Sequence, residues 1–155
     1  MSHSFLGLKK NELDTPCLVI DNHALKSNLD TMRQHAVTNN INLRPHSKTH
    51  KCSKLAQLQL NYGAIGISAA KIAEAEVLIN KGVSGVLVTS PVVTSYKIAR
   101  LISCLKQAPE IIVVADNEQN IHDLNQAAAS IQTRLNVLVD LDSGIGRTGV
   151  AFEKA

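Results

Sequence analysis

Residues 83–116, VSGVLVTSPVVTSYKIARLISCLKQAPEIIVVAD, decide the fold. They open on Val83–Val88, a short apolar run rich in β-branched residues, which ends at Thr89 and Ser90. They close on a second such run, Ile111–Ala115, which ends at Asp116. Between them, Ile98, Leu101, Ile102 and Leu105 fall at i, i+3, i+4 and i+7, the stripe of an amphipathic helix. A strand, a helix and a strand in series predict two parallel neighbours, because the crossover helix returns the chain to the same end of the sheet.

The same unit recurs on both sides. Cys17–Ile20, Ala64–Ile67 and Leu135–Leu141 read as further strands. Asn42–His46 is a weaker one, because Pro45 has no N–H for a ladder. Further helical stripes are Leu25, Leu29, Met32 and Ala36, then Ile72, Ala75, Leu78 and Ile79 with Glu74 and Glu76 on the wet side, then Ile121, Leu124 and Ala128. Lys51–Leu60 reads as another helix, broken by Gly63. Asp116 with Gln119 resembles a capping box, and Gly82 suits a helix stop. No linker or low-complexity tract divides residues 1–155, which read as one domain or part of one. The fold class is α/β with a parallel sheet; a closed barrel and an open sheet both fit. Lys48, Ser68, Thr89, Ser90, Asp116 and Asp142 all follow predicted strand ends, the edge where either architecture builds sites.

Composition narrows the function classes. Apolar residues are 45% and charged residues 19%, an ordinary globular balance, while aromatics are only 3%, so the core must be aliphatic. A net charge of +3, with no basic run interleaved with aromatics, argues against nucleic acid as a partner. No apolar run approaches the ~20 residues of a membrane-spanning helix, and Met1–Leu13 carries no secretory apolar core. Cys17, Cys52 and Cys104 are odd in number and widely spaced, which suits reduced thiols in the cytoplasm rather than a disulfide framework or a zinc knuckle.

The chemistry concentrates in Arg44-Pro45-His46-Ser47-Lys48-Thr49-His50-Lys51. This cationic stretch follows a strand candidate and precedes a helix. A lysine at a strand end can enter a cleft, where desolvation and neighbouring cations such as Arg44 and Lys51 make it a nucleophile toward carbonyls. The bland alternative is a solvated loop lysine flanked by solvated surface charges.

The stretch resembles the cofactor-lysine motif of D-threonine aldolases and D-serine dehydratases, pyridoxal-phosphate enzymes of the alanine-racemase-like type. Asp14-Thr15-Pro16 with Leu25 and Asn28 resembles the opening of that family, as do Gly63-Ala64-Ile65-Gly66-Ile67 and Glu74-Ala75-Glu76 its next strand and helix. Val139-Asp140-Leu141-Asp142-Ser143-Gly144-Ile145-Gly146-Arg147-Thr148-Gly149 is similar to the strand and loop that bring an arginine to the cofactor. The similarity runs from about Leu13 to Val150.

The resemblance implies a partial (β/α)8 TIM barrel of the alanine racemase N-terminal type, with about five of eight strands present and Cys17–Ile20 pairing outside the barrel. Residues 1–155 would be an incomplete pyridoxal-phosphate-binding barrel domain that lacks the C-terminal β domain. Lys48 would hold pyridoxal 5'-phosphate as a Schiff base, and Arg147 would contact the cofactor or a substrate anion. The implied activity is a lyase acting on a small D-amino acid, by retro-aldol cleavage of D-threonine or dehydration of D-serine. A divalent metal belongs to the complete enzyme, with ligands outside this chain, and a homodimer is implied for that enzyme. The alternatives are a truncated fragment without activity, oligomeric or aggregated when alone, and a racemase-type or cofactor-carrying relative.

Two patterns invite other readings. Gly144-Ile145-Gly146-Arg147-Thr148-Gly149 matches GxGxxG, but a dinucleotide site needs a helix next and an acidic residue about 20 positions on. Its glycines better serve a tight turn that brings Arg147 toward an anion. His46 and His50 stand four apart, yet Pro45 opposes a helix there and the glutamate of HExxH is absent, so both read as structural or supporting residues. His3, His23, His35 and His122 carry no pattern. Asp140 and Asp142 share a strand face without an assignable acid–base role.

Overall fold

Four of the β-branched runs form strands, and all four pair in parallel. The computed structural model describes residues 5–155, so His3 and the first four residues of the expected domain lie outside the description. Strands β1 (Ile67–Ala69), β2 (Val86–Val88), β3 (Ile112–Ala115) and β4 (Asn136–Val139) make one sheet in the order β1-β2-β3-β4. Register is continuous, with Ile67 beside Val86, Val88 beside Val113 and Ala115 beside Val139. Beyond β1, residues 43–46 run as a further strand-like segment. Ile65 N–H donates to Leu43 O at 2.9 Å, Ser68 N–H donates to Pro45 O at 2.8 Å, and His46 bridges Ser68. Pro45 serves this pairing through its carbonyl, so its missing N–H costs nothing at the sheet edge. Four strands and this segment match the expected five.

Helix α1 (Asn22–Thr38) precedes the sheet, and α2 (Ser53–Asn61), α3 (Ile72–Asn80), α4 (Ser95–Gln107) and α5 (Glu118–Ser130) fill the crossovers. The core lies between α2–α5 and one face of the sheet, where Ile67, Ala69, Val86, Val88, Val113 and Ala115 are buried against Ile72, Leu78, Leu101, Leu105 and Leu124. Burial of such side chains contributes about 1.5–3 kcal/mol each. Asp21 starts α1 by accepting from His23 N and Ala24 N at 2.8 and 3.0 Å. Gly82, at φ +74°, ends α3 as expected, with its N–H on Ile79 O.

Several expectations need correction. Cys17–Ile20 forms no strand; Leu18, Val19 and Ile20 are exposed, with nothing among the described residues to pair them. The third strand candidate is displaced to Ile67–Ala69, which puts Ser68 inside β1 rather than after it. The box of Asp116 and Gln119 does not form: Asn117 caps α5 by accepting from Asn120 N at 3.2 Å. Ile121 is exposed, and Asn120 is buried in its place, donating to Val92 O at 2.7 Å. Glu74 and Glu76 are not on a wet face. Glu74 accepts from Ala70 N at 2.9 Å, and Glu76 holds Arg100 of α4 through both carboxylate oxygens.

Candidate active site

The lysine sits on a turn held by local hydrogen bonds. After the strand-like segment, Ser47–Thr49 form a single 3-10 turn. Ser47 is buried and donates to Ser68 O at 3.1 Å, fixing the turn to β1. Thr49 Oγ1 donates to His46 O at 3.3 Å. His50 N and Lys51 N converge on Ser47 O at 3.1 and 2.7 Å. Lys51 adopts φ +47°, a left-handed conformation that redirects the chain into α2. With Ser47 held inward, the next side chain, Lys48, points out at the carboxyl edge of the sheet. It is exposed and takes part in no ion pair among the described residues.

Both histidines of the motif serve this turn. His46 Nδ1 accepts from Lys48 N at 3.3 Å, and its Nε2 faces Thr89 Oγ1 at 3.3 Å. His50 Nδ1 accepts from Cys52 N at 3.1 Å, at the start of α2, and its buried Nε2 has no partner in the protein. Neither joins a metal site: no group of three His, Cys, Asp or Glu side chains among the described residues could hold an ion. The cations expected to act on Lys48 are engaged elsewhere. Arg44 donates to Gly85 O, lying across Gly66 and Gly85, where a Cβ on either glycine would strike it or the backbone. Lys51 Nζ lies 3.7 Å from Glu74.

Arg147 occupies a loop at the same edge. Asp140 N donates to Ala115 O at 2.9 Å, continuing the ladder past β4, and Leu141 then bridges Val150 to close a loop. Gly144, Gly146 and Gly149 take φ +105°, +67° and +95°, which residues with a Cβ rarely adopt. Asp142 accepts from Gly144 N at 2.9 Å and Gly146 N at 3.0 Å, and these amides hold its carboxyl below the usual carboxylate range. Asp116 accepts from Gly149 N at 3.0 Å. Arg147 is exposed beside a cavity of about 140 Å³ that it shares with Asp140, Asp142, Ser143 and Thr148. After this loop comes a 3-10 turn, Phe152–Lys154, in place of the helix a dinucleotide fingerprint requires.

The structure thus puts Lys48 and Arg147 on one edge without bringing them into contact. Their elements are four sheet positions apart, about 19 Å along the sheet at ~4.8 Å per strand. In an eight-stranded barrel those positions face each other across the mouth. Sequence reasoning missed Thr89, which it placed only at a strand end, and the loop-holding role of Asp116. The partner of Thr89 lies 43 residues away and that of Asp116 lies 33 away, so no local pattern signals either. The thiols take no part: Cys104 is buried, and burial pushes it up to about 11.

A lysine-bearing turn and an arginine-bearing loop stand on the carboxyl edge of a parallel, helix-covered sheet, the edge where α/β proteins build their sites. The chain belongs to the alanine racemase N-terminal domain family, which it matches over residues 20–155. It is 37% identical over 150 residues to 3-hydroxy-D-aspartate aldolase of Paracoccus denitrificans, covering 96% of this chain and 39% of that protein. It is 37% identical over 139 residues to D-threonine aldolase of an Arthrobacter species, covering 90% of this chain and 36% of that one. The crystal structure of D-threonine aldolase from Filomicrobium marinum superposes with a TM-score of 0.86 at 37% identity, over 89% of this chain and 37% of that one. The chain therefore spans under two fifths of the length of the relatives it matches, and its fold is that of the first part of their barrel.

Proposed function

We propose that the complete protein is a pyridoxal-phosphate-dependent lyase that cleaves a small D-amino acid bearing a β-hydroxyl group, with Lys48 as the lysine that carries the cofactor. The observation that supports this most is the setting of Lys48. A primary amine, free of any ion pair among the described residues, stands on a rigid turn at the carboxyl edge of the sheet. Two relatives at 37% identity are aldolases, which favours retro-aldol cleavage over dehydration or racemisation.

The residues present fit the cofactor in two respects. Lys48 offers the amine that an aldehyde requires. Arg147, on a loop held at both ends by carboxylates, offers a cation for a phenolate or a substrate carboxylate. When bound, the cofactor supplies the electron sink for breaking a bond to Cα. The chain's own work is to hold the lysine-bearing turn through Ser47 and His46 and the arginine-bearing loop through Asp142 and Asp116. In this reading residues 1–155 form an incomplete cofactor-binding barrel domain. Further chain supplies the remaining strands, a C-terminal β domain, any divalent-metal ligands and the contacts of a homodimer. No helix among the described residues is long and apolar enough to cross a membrane, and a cytoplasmic setting accords with this reading.

The direct test is to add pyridoxal phosphate to the full chain, reduce with borohydride and map the modified peptide. The expected result is label on Lys48 and its loss in Lys48→Ala. Label confined to other lysines would remove the proposal.

A further inference from the structure

We propose that His46 is a positioning residue for Lys48: a neutral imidazole, locked as the Nε2–H tautomer between the Lys48 amide and the Thr89 hydroxyl, that holds the lysine-bearing turn in register with β2. The proposal deepens the reading of Lys48 given above and rests on it for its functional meaning.

The tautomer follows from donor chemistry. A backbone N–H can only donate, so the Lys48 amide, 3.3 Å from His46 Nδ1, requires a lone pair there. A neutral ring with a bare Nδ1 carries its proton on Nε2. That nitrogen lies 3.3 Å from Thr89 Oγ1. Thr89 Oγ1 is also 3.1 Å from Ala69 O, a carbonyl that can only accept, so the hydroxyl proton is committed to Ala69. Its oxygen is left to accept from Nε2–H. Every link then runs one way, from the Lys48 amide through His46 and Thr89 to the end of β1. Reversing the ring would set two donors against each other at Nδ1.

The same geometry makes the turn sensitive to protonation. A proton added at Nδ1 would replace the acceptor facing the Lys48 amide with a donor. The charged groups facing the ring are Lys48 from its own turn and Glu74 from α3, while β1 and β2 present Ser68 and Thr89. Arg44, on the strand below, is occupied with Gly85 O. Burial and the Lys48 charge both lower the pKa of His46, and they outweigh Glu74, itself tied to Ala70 N, and the Ser68 backbone hydrogen bond, which raise it. The ring therefore stays neutral at neutral pH, where its lone pair is needed.

The test uses the full chain with ¹⁵N-labelled histidine. Long-range ¹H–¹⁵N NMR, with His46→Asn used for assignment, reads tautomer and protonation without any cofactor. The expected result is the Nε2–H form, less protonated at pH 6.5 than an unperturbed imidazole, which is half protonated there. An Nδ1–H tautomer, or titration at the ordinary value, would overturn the proposal. The second readout is the rate of borohydride-trapped pyridoxal phosphate at Lys48. His46→Phe, which removes both hydrogen bonds, should slow it by about threefold to tenfold, the size of one net hydrogen bond. His46→Asn, whose side-chain oxygen can replace Nδ1, should restore most of the rate. Wild-type labelling by His46→Phe at every pH would also overturn it. Failure of the Lys48 reading is distinguishable, because wild-type protein would then carry no label at Lys48 whatever the state of His46.

Discussion

The Asp116 carboxylate accepts the Gly149 amide at 3.0 Å, tying the end of β3 to the far end of the loop that carries Arg147. Asp142 grips the near end through Gly144 N and Gly146 N. The loop is exposed, but its two ends are fixed by charge-assisted bonds to elements of the sheet edge. The backbone that carries Arg147 is thereby fixed, while its side chain stays exposed to a ligand.

Replacing Asp116 tests that tie. Asp116→Ala leaves the Gly149 amide without its acceptor, and a hydrogen bond to a charged group is worth about 1.5–3 kcal/mol. Chemical denaturation should show a loss of that order or less, because the site is only partly buried. Proteolysis within residues 143–149 should quicken as well. Asp116→Asn, which retains an oxygen acceptor, should sit closer to wild type. Equal behaviour of the two variants would show that Asp116 does not hold the loop.

Arg147→Ala should lower affinity for pyridoxal phosphate, or turnover in the complete enzyme, by roughly tenfold or more, the value of one charge-assisted contact. The thermal midpoint should barely change, since the side chain is exposed and makes no ion pair among the described residues. Unchanged cofactor binding and kinetics would remove Arg147 from the site.

The amount of this that the sequence discloses depends on how local each signal is. Helix stripes and β-branched runs are local patterns, so α1–α5 and β2–β4 are legible to within a few residues, although Met32 of α1 and all of β4 are exposed. The displacement of β1 is not, because Ala64-Ile65-Gly66 looks as strand-like as Ile67-Ser68-Ala69. What separates them is Arg44, which lies across Gly66 and Gly85, a contact over 41 residues. Cys17–Ile20 misleads for the opposite reason. Its pattern is that of a strand, but pairing is a property of two segments, and the described residues hold no mate for it. At the proposed site, Lys48 and Arg147 stand out by motif and glycine spacing. Thr89 and Asp116, which bond to His46 and Gly149, act across distant strand ends and leave no trace in local pattern.

Asp142 gives the loop a pH dependence with a definite sign. Its folded pKa is lowered from 3.8, chiefly by the Gly146 and Gly144 amides. Its contribution is therefore fully present above the unfolded value and is lost as pH falls through the folded one. Amide exchange at Gly144 and Gly146 should stay slow at pH 5 and accelerate, beyond the intrinsic change, only below about pH 3.8. Asp142→Asn should lose that transition. Protection that vanishes already near pH 6 would assign the loop's order to another group.

Residues 1–155 produced by themselves should self-associate and turn over little or no substrate. All four residues of β4 are exposed, including Val137, Leu138 and Val139, and its outer edge has no partner among the described residues. An open, apolar edge of this kind templates pairing with another copy. Lys48 also needs a cofactor held beside it. Phosphate is usually gripped by clustered backbone amides at helix ends, and in (β/α)8 barrels by the loops after strands 7 and 8. The described sheet has four strands and one bridged segment, and Arg147 alone is a weak anchor. The measurement is light scattering on the purified chain. It is followed by an assay with pyridoxal phosphate, a divalent metal and D-threonine or D-serine, monitoring glycine, acetaldehyde or pyruvate. A large or polydisperse particle with background turnover is expected. Robust turnover by a monomer, abolished by Lys48→Ala, would show that these residues already contain the phosphate grip and the acid–base groups that the proposal assigns to further chain.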